Sequence, residues 1–276
     1  MKNLRKLFGL LLKFVSIYFV TNIMALLIDF FFESVFVIGE FSGYFEYISM
    51  HLLMFIIVLI LNKNNKNSNK VEKHVLKFKI IFCLTFVAIL LTFLIDTSMV
   101  FMGIYNIDFH IVNIYEYKYF MVIIIVLFSA FVEEYIFRKV LMNKLYEFNT
   151  QDASMKIVAI LFSLIHLLGA TYNNIFIFIV SFLYYYLISI TLSRLLLITK
   201  SFWGIVGFHF SHNLMVLFIS SYGMTSSIYP FEWSNSILRY SLGVNAGILP
   251  IWNSMTSWIV ILLLINYILK YFIVKK

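Results

Sequence analysis

Apolar residues run along this chain in stretches of about 20, the length a helix needs to cross the hydrocarbon core of a bilayer. Such windows fall at roughly 8–32, 44–61, 80–105, 119–146, 155–172, 174–198, 202–221 and 250–273. The runs are continuous, and only two prolines and ten glycines occur in the chain. Helices are therefore predicted, not the short alternating strands of an outer-membrane barrel. The pattern predicts an all-α fold, a polytopic helical bundle with about eight transmembrane helices in a single membrane domain over residues 1–276. Asn62 to Lys70, rich in Asn, Lys and Ser, is expected to be a solvated linker.

Basic residues orient the spans, because Lys and Arg collect in short cytoplasmic loops. Lys2, Arg5 and Lys6 precede the first window, which is too long for a cleaved signal and has no small-residue cleavage site after it. It is expected to stay as an anchor with its N-terminus inside. The 33–43 turn has no Lys or Arg, whereas the next connection carries Lys63, Lys66, Lys70, Lys73, Lys77 and Lys79. The alternation continues through Lys118, then Arg138, Lys139, Lys144 and Lys156, then a bare turn near Ala170 to Asn173. Arg194 and Lys200 follow, then an outer loop with only Arg239, and Lys270, Lys275 and Lys276 close the chain. Eight spans with both termini cytoplasmic satisfy every loop. Tyr229, Pro230, Trp233, Arg239 and Tyr240 suit that outer loop to the lipid headgroups.

Composition agrees. At 62% hydrophobic, 12% charged and a mean hydropathy of +0.95, the chain carries about half the charge of a soluble domain. The formal charge of +8 is spread between apolar runs rather than gathered on one solvated face, so no nucleic acid is expected. The partner is the lipid bilayer. Cys83 is the sole cysteine, which excludes a disulfide framework or thiolate zinc cluster.

Ionisable groups inside membrane helices cost about 2.5–3.5 kcal/mol each on insertion scales and so demand a reason. Glu133 and Glu134 follow an almost wholly apolar run from Tyr119 to Ala130. Glu134 and Arg138 stand one helical turn apart and can pair, while Glu133 is rotated away and shares its face with Phe137. Glu133 is left to take and return a proton; the alternative is an ion network at a helix end. In the fifth span Phe162 sits one turn before His166, and a lone His in such a place is more often a packing residue. In the seventh, His209 and Asn213 stand one turn apart and can donate toward one point, with His212 near the same face. His51, Asp29 and Asp96 have no companion at helical spacing, which favours local hydrogen bonding.

Position along the helices joins these groups. Glu133 lies about 14 residues, or roughly 21 Å, into an inward-running helix, and His166 and His209 lie about 11 and 7 residues into outward-running ones. All fall in the cytoplasmic half of the bilayer. A carboxylate, two imidazoles and an amide at one depth can activate water and bind an oxyanion. No Gly-x-Ser-x-Gly motif competes, and Cys83 has no paired base.

At these residues the sequence resembles the CAAX prenyl protease and bacteriocin-processing family, also called Abi. Its motifs read Glu133-Glu134-x-x-x-Arg138, Phe162-x-x-x-His166 and His209-x-x-x-Asn213, in order and on separate helices, within about 119–221. The resemblance implies an eight-helix intramembrane glutamate endopeptidase, and no cofactor or metal is expected. Glu133 with His166 would activate water, and His209 with Asn213 would form the oxyanion hole. Glu134, Arg138 and Phe162 would support them.

The family's eukaryotic members cut prenylated C-terminal tails, and its bacterial ones are linked to peptide maturation, bacteriocin immunity and signalling peptides. The Lys-, Asn- and Ile-rich composition resembles that of a low-GC bacterium. A small membrane-associated peptide or precursor at a bacterial cytoplasmic membrane is thus the expected substrate. Three other readings compete. Glu133, His166 and His209 could ligate zinc, although His-Glu-x-x-His is absent. A proton-coupled carrier would need helices broken by Gly or Pro near the midplane. A noncatalytic scaffold or immunity regulator would keep the fold without the chemistry.

Overall fold

The computed structural model describes residues 2–36, 42–62, 75–103, 105–109, 117–168, 175–221, 238–242 and 254–274. Each of the eight apolar windows holds a helix: α1 (Lys2–Phe36), α2 (Ser42–Asn62), α3 (Val75–Phe101), α4 (Tyr117–Glu134), α6 (Gln151–Leu168), α7 (Ile175–Thr199), α8 (Phe202–Phe218) and α9 (Ser254–Val274). The fourth window departs from a uniform α-helix. Beyond Glu134 the chain winds as a π-helix over Tyr135–Met142 before the short α5 (Asn143–Tyr146) completes the rod. The i→i+5 bonds of such a segment are rare and gather at functional sites. Here the segment begins directly after the two glutamates.

Helix starts follow local chemistry. The Thr150 hydroxyl accepts from the Ala153 N–H at the start of α6, and the Ser201 hydroxyl accepts from Gly204 at the start of α8. Both side chains satisfy donors that the first helical turn leaves unpaired. At the end of α7, Lys200 adopts φ 54° while its N–H bonds the Leu196 carbonyl, a left-handed stop more often made by glycine.

The chain is a helical membrane bundle. Among the described residues, four stretches are long and apolar enough to cross a bilayer: Arg5–Ile28, Phe120–Tyr146, Gln151–Leu168 and Phe178–Thr199. Ile48–Leu61 and Trp258–Tyr271 are apolar but shorter. Large apolar side chains such as Phe8, Phe30, Ile60, Phe82 and Leu263 face outward, as a lipid solvent requires. Of the four long spans α7 is the most enclosed and α1 the least.

The interior of α7 is lined with small polar residues. Thr191 and Ser193 return their hydroxyls to the Leu187 and Ser189 carbonyls, so they satisfy themselves and let neighbouring helices approach closely. On one side α7 meets α9, where Asn266 donates to Thr191 at 2.8 Å and accepts from Arg194 at 3.0 Å. Nearby, His212 of α8 shares a 2.6 Å hydrogen bond with the Tyr184 hydroxyl and packs edge-on against Trp258. His212 is thereby committed to the α7–α8–α9 packing.

A small sheet was not expected from the hydropathy pattern. Strand β1 (Tyr105–Phe109) pairs antiparallel with β3 (Leu238–Leu242), and β2 (Ile219–Ser221) adds parallel on the other edge of β3. The register sets Ile107 opposite Tyr240 and Asp108 opposite Arg239. The sheet gathers the end of α3, the end of α8 and the connection into α9 at one end of the bundle. The loop charges assign those same connections to one side. The linker beyond Asn62, the turn near Ala170 to Asn173 and outer-loop residues 222–237 lie outside the described residues, as do the side chains of Asp29 and Asp96.

Candidate active site

Glu133 and Glu134 leave α4 in different directions, as their 100° separation requires. Glu134 is fully buried and takes 3.1 Å from the Arg138 guanidinium and 2.8 Å from His209 Nδ1, both at Oε1. Arg138, also fully buried, donates to the Ser189 hydroxyl at 2.9 Å and carbonyl at 3.2 Å, and lies 5.0 Å from the centre of the Phe162 ring. One buried network therefore joins α4, the π segment, α6, α7 and α8. Ser189 and His209 give this buried pair further partners, while Glu134 Oε2 and Arg138 Nε are buried without a hydrogen bond.

Glu133 faces a cluster of imidazoles. Its Oε2 lies 3.6 Å from His166 Nε2 and 3.8 Å from His209 Nε2, and its Oε1 lies 3.5 Å from His51 Nε2. Oε2 is buried without a hydrogen-bond partner. His166 is held between two rings, Phe162 at 4.1 Å and Tyr185 at 4.6 Å. Its Nδ1–H donates to the Phe162 carbonyl at 2.8 Å, because a carbonyl can only accept. Nε2 is then the nitrogen presented to Glu133. The same logic applies to His209, whose Nδ1–H goes to Glu134 and whose Nε2 faces Glu133. Tyr18 of α1 borders the cluster with a 3.5 Å bond from its hydroxyl to the Ile165 carbonyl.

The structure separates the two acids, pairs Glu134 with Arg138, sets Phe162 against His166, and brings Glu133, His166 and His209 together. Asn213 is half-buried on α8, one turn beyond His209. One participant differs from expectation. His51, read as a locally bonded residue, meets Glu133 from α2. A helical-spacing rule sees only neighbours on the same helix; the one available signal was an imidazole inside an apolar span. Among the described residues, no group of three or more His, Cys, Asp or Glu is arranged to hold a metal ion.

Residues 115–215 match the Rce1-like family, described as type II CAAX prenyl endopeptidase Rce1-like. This is the family that the three motifs resemble. The Rce1-like stretch spans α4 to α8 and includes Glu133, Glu134, Arg138, Phe162, His166, His209 and Asn213. It omits α2 and therefore His51. The match covers under half of the chain, and its description names a CAAX-protease-type endopeptidase. No curated protein and no solved structure matches the chain.

Proposed function

We propose that the chain is a glutamate-dependent intramembrane endopeptidase, with Glu133 as the base that activates water. The observation that carries this reading is Glu133 Oε2, a buried carboxylate oxygen without a hydrogen bond, flanked by His166 Nε2 and His209 Nε2 at 3.6 and 3.8 Å. Both separations lie beyond direct hydrogen-bond reach and leave that oxygen uncommitted.

In the proposed reaction Oε2 takes a proton from water as the water oxygen bonds to the peptide carbonyl carbon. His166 Nε2 orients the water. The negative charge that develops on the carbonyl oxygen is held by Nε2–H of His209 and by the Asn213 amide. His209 gives its Nδ1–H to Glu134, so it donates from Nε2 only when the ring carries both protons; the buried Glu134 charge balances that ring. When the tetrahedral intermediate collapses, the C–N bond breaks and the Glu133 carboxyl returns its proton to the leaving amine.

The loop charges support eight spans, both termini inside and a site in the cytoplasmic half of the membrane, and the Lys-, Asn- and Ile-rich composition supports a bacterial one. A small membrane-associated or precursor peptide suits that depth. Purified protein in liposomes, offered a panel of fluorogenic peptides, tests the reading. Cleavage by the wild type and none by Glu133→Gln supports it. Activity abolished by a chelator and restored by zinc alone would replace the carboxylate base with metal-bound water.

A further inference from the structure

The proposed chemistry makes no use of the third imidazole on Glu133. His51 belongs to α2, outside the residues that match the family, and its Nε2 lies 3.5 Å from Glu133 Oε1. Its side chain is 5% exposed and that of Glu133 is 12%, so bulk water competes poorly for either. The two carboxylate oxygens therefore differ. Oε1 faces α2, and Oε2 faces α6 and α8.

Packing holds this approach in register. Phe55 stands one turn beyond His51 on the same face of α2 and meets Phe131 and Tyr135 edge-on, with ring centres 5.5 and 5.2 Å apart. Those two residues flank Glu133 at two positions before and two after. Met54 and Val58 bury the adjoining stripe of α2. Sliding α2 would have to break both aromatic contacts, so the imidazole is delivered to the carboxylate by the bundle itself.

We propose that His51 is a positioning residue for the peptidase reaction. It holds Glu133 by Oε1, so that Oε2 is the oxygen presented between His166 and His209. The inference rests on the reading of Glu133 as the base. A glutamate's terminal torsion is broad and roughly two-fold, so a carboxylate held on one oxygen has a defined free oxygen and one without that hold does not.

The test compares steady-state kinetics and thermal melting of His51→Leu and His51→Gln with wild type and Glu133→Gln, using a peptide that the wild type cleaves. His51→Leu is expected to lower kcat about ten- to a hundredfold, the scale of a misplaced reacting group, with KM and melting temperature unchanged. His51→Gln, which can donate an amide N–H to the carboxylate, is expected to recover most of kcat. A wild-type kcat in His51→Leu overturns the proposal. So do equally slow Leu and Gln variants that both melt early, because that result assigns His51 to packing. Failure of the base reading is seen separately, as wild-type cleavage by Glu133→Gln, and the positioning role falls with it.

Discussion

His209 on α8 and Glu134 on α4, 75 residues apart in the chain, are joined by a 2.8 Å hydrogen bond from Nδ1–H to Oε1. The bond fixes the ring so that Nε2 points at the Glu133 carboxylate. Glu134 thus does more than neutralise Arg138. Removing one oxyanion donor costs about a hundred- to a thousandfold in rate, so His209→Ala should lower kcat on that scale. Glu134→Gln keeps an acceptor for Nδ1–H but loses the charge. It should lower both kcat and melting temperature, and a folded Glu134→Gln protein with wild-type kcat would confine Glu134 to a structural role.

Arg138 is expected to matter for folding more than for chemistry. Its guanidinium is buried with Glu134, Ser189 and the Phe162 ring. Removing one partner of a buried ion pair typically costs about 3–5 kcal/mol, because the other charge is left unpaired. Arg138→Ala should lower membrane abundance and melting temperature. Normal accumulation and normal melting with slow turnover would place the arginine in substrate binding or catalysis instead.

A second buried link, on the α9 side of α7, should separate stability from activity. Asn266 of α9 bonds Arg194, Thr191 and the Leu187 carbonyl of α7. Each such hydrogen bond contributes about 0.5–1.5 kcal/mol net, and more where one partner is charged. Asn266→Ala should reduce the melting temperature while leaving kcat and KM of the remaining folded protein near wild type. Loss of kcat without loss of stability would tie α9 to the reaction.

These residues show which parts of the structure were legible in the sequence. The helices were legible because lipid forces every spanning segment to be a long apolar helix or part of a closed barrel. Glu133 and Glu134 were separable because adjacent helical residues point 100° apart, and Phe162 with His166 because four residues make one turn. Contacts between helices distant in sequence were not legible. His51 reaches Glu133 from α2, and Ser189 reaches Arg138 from α7, with no local pattern to announce either. The π segment is a property of backbone hydrogen bonding that the apolar pattern of Tyr135–Met142 does not encode. Tyr105–Phe109 and Leu238–Leu242 do alternate apolar and polar residues, but at five residues each they are shorter than the windows that identify spans.

The sheet bears on topology. Because β1 and β3 pair, Tyr105–Phe109 and Leu238–Leu242 share one end of the bundle, and the Lys and Arg distribution predicts that this end lies outside. Reporter fusions in the 106–118 and 222–249 connections should read as external, while fusions near the N- and C-termini read as cytoplasmic. Cytoplasmic signals from both connections would invert the orientation and move the site to the other half of the bilayer.

Cleavage of a verified peptide by wild type, Glu133→Gln and Glu134→Gln in the same liposomes tests the central claim most directly. Glutamine preserves the shape of Glu133 and its capacity to hydrogen-bond but cannot accept the proton, so Glu133→Gln should bind the peptide and fail to cut it. Glu134→Gln should retain measurable turnover. Near-normal cleavage by Glu133→Gln with an inactive Glu134→Gln would exchange the roles of the two acids, and near-normal cleavage by both would contradict a glutamate-dependent peptidase.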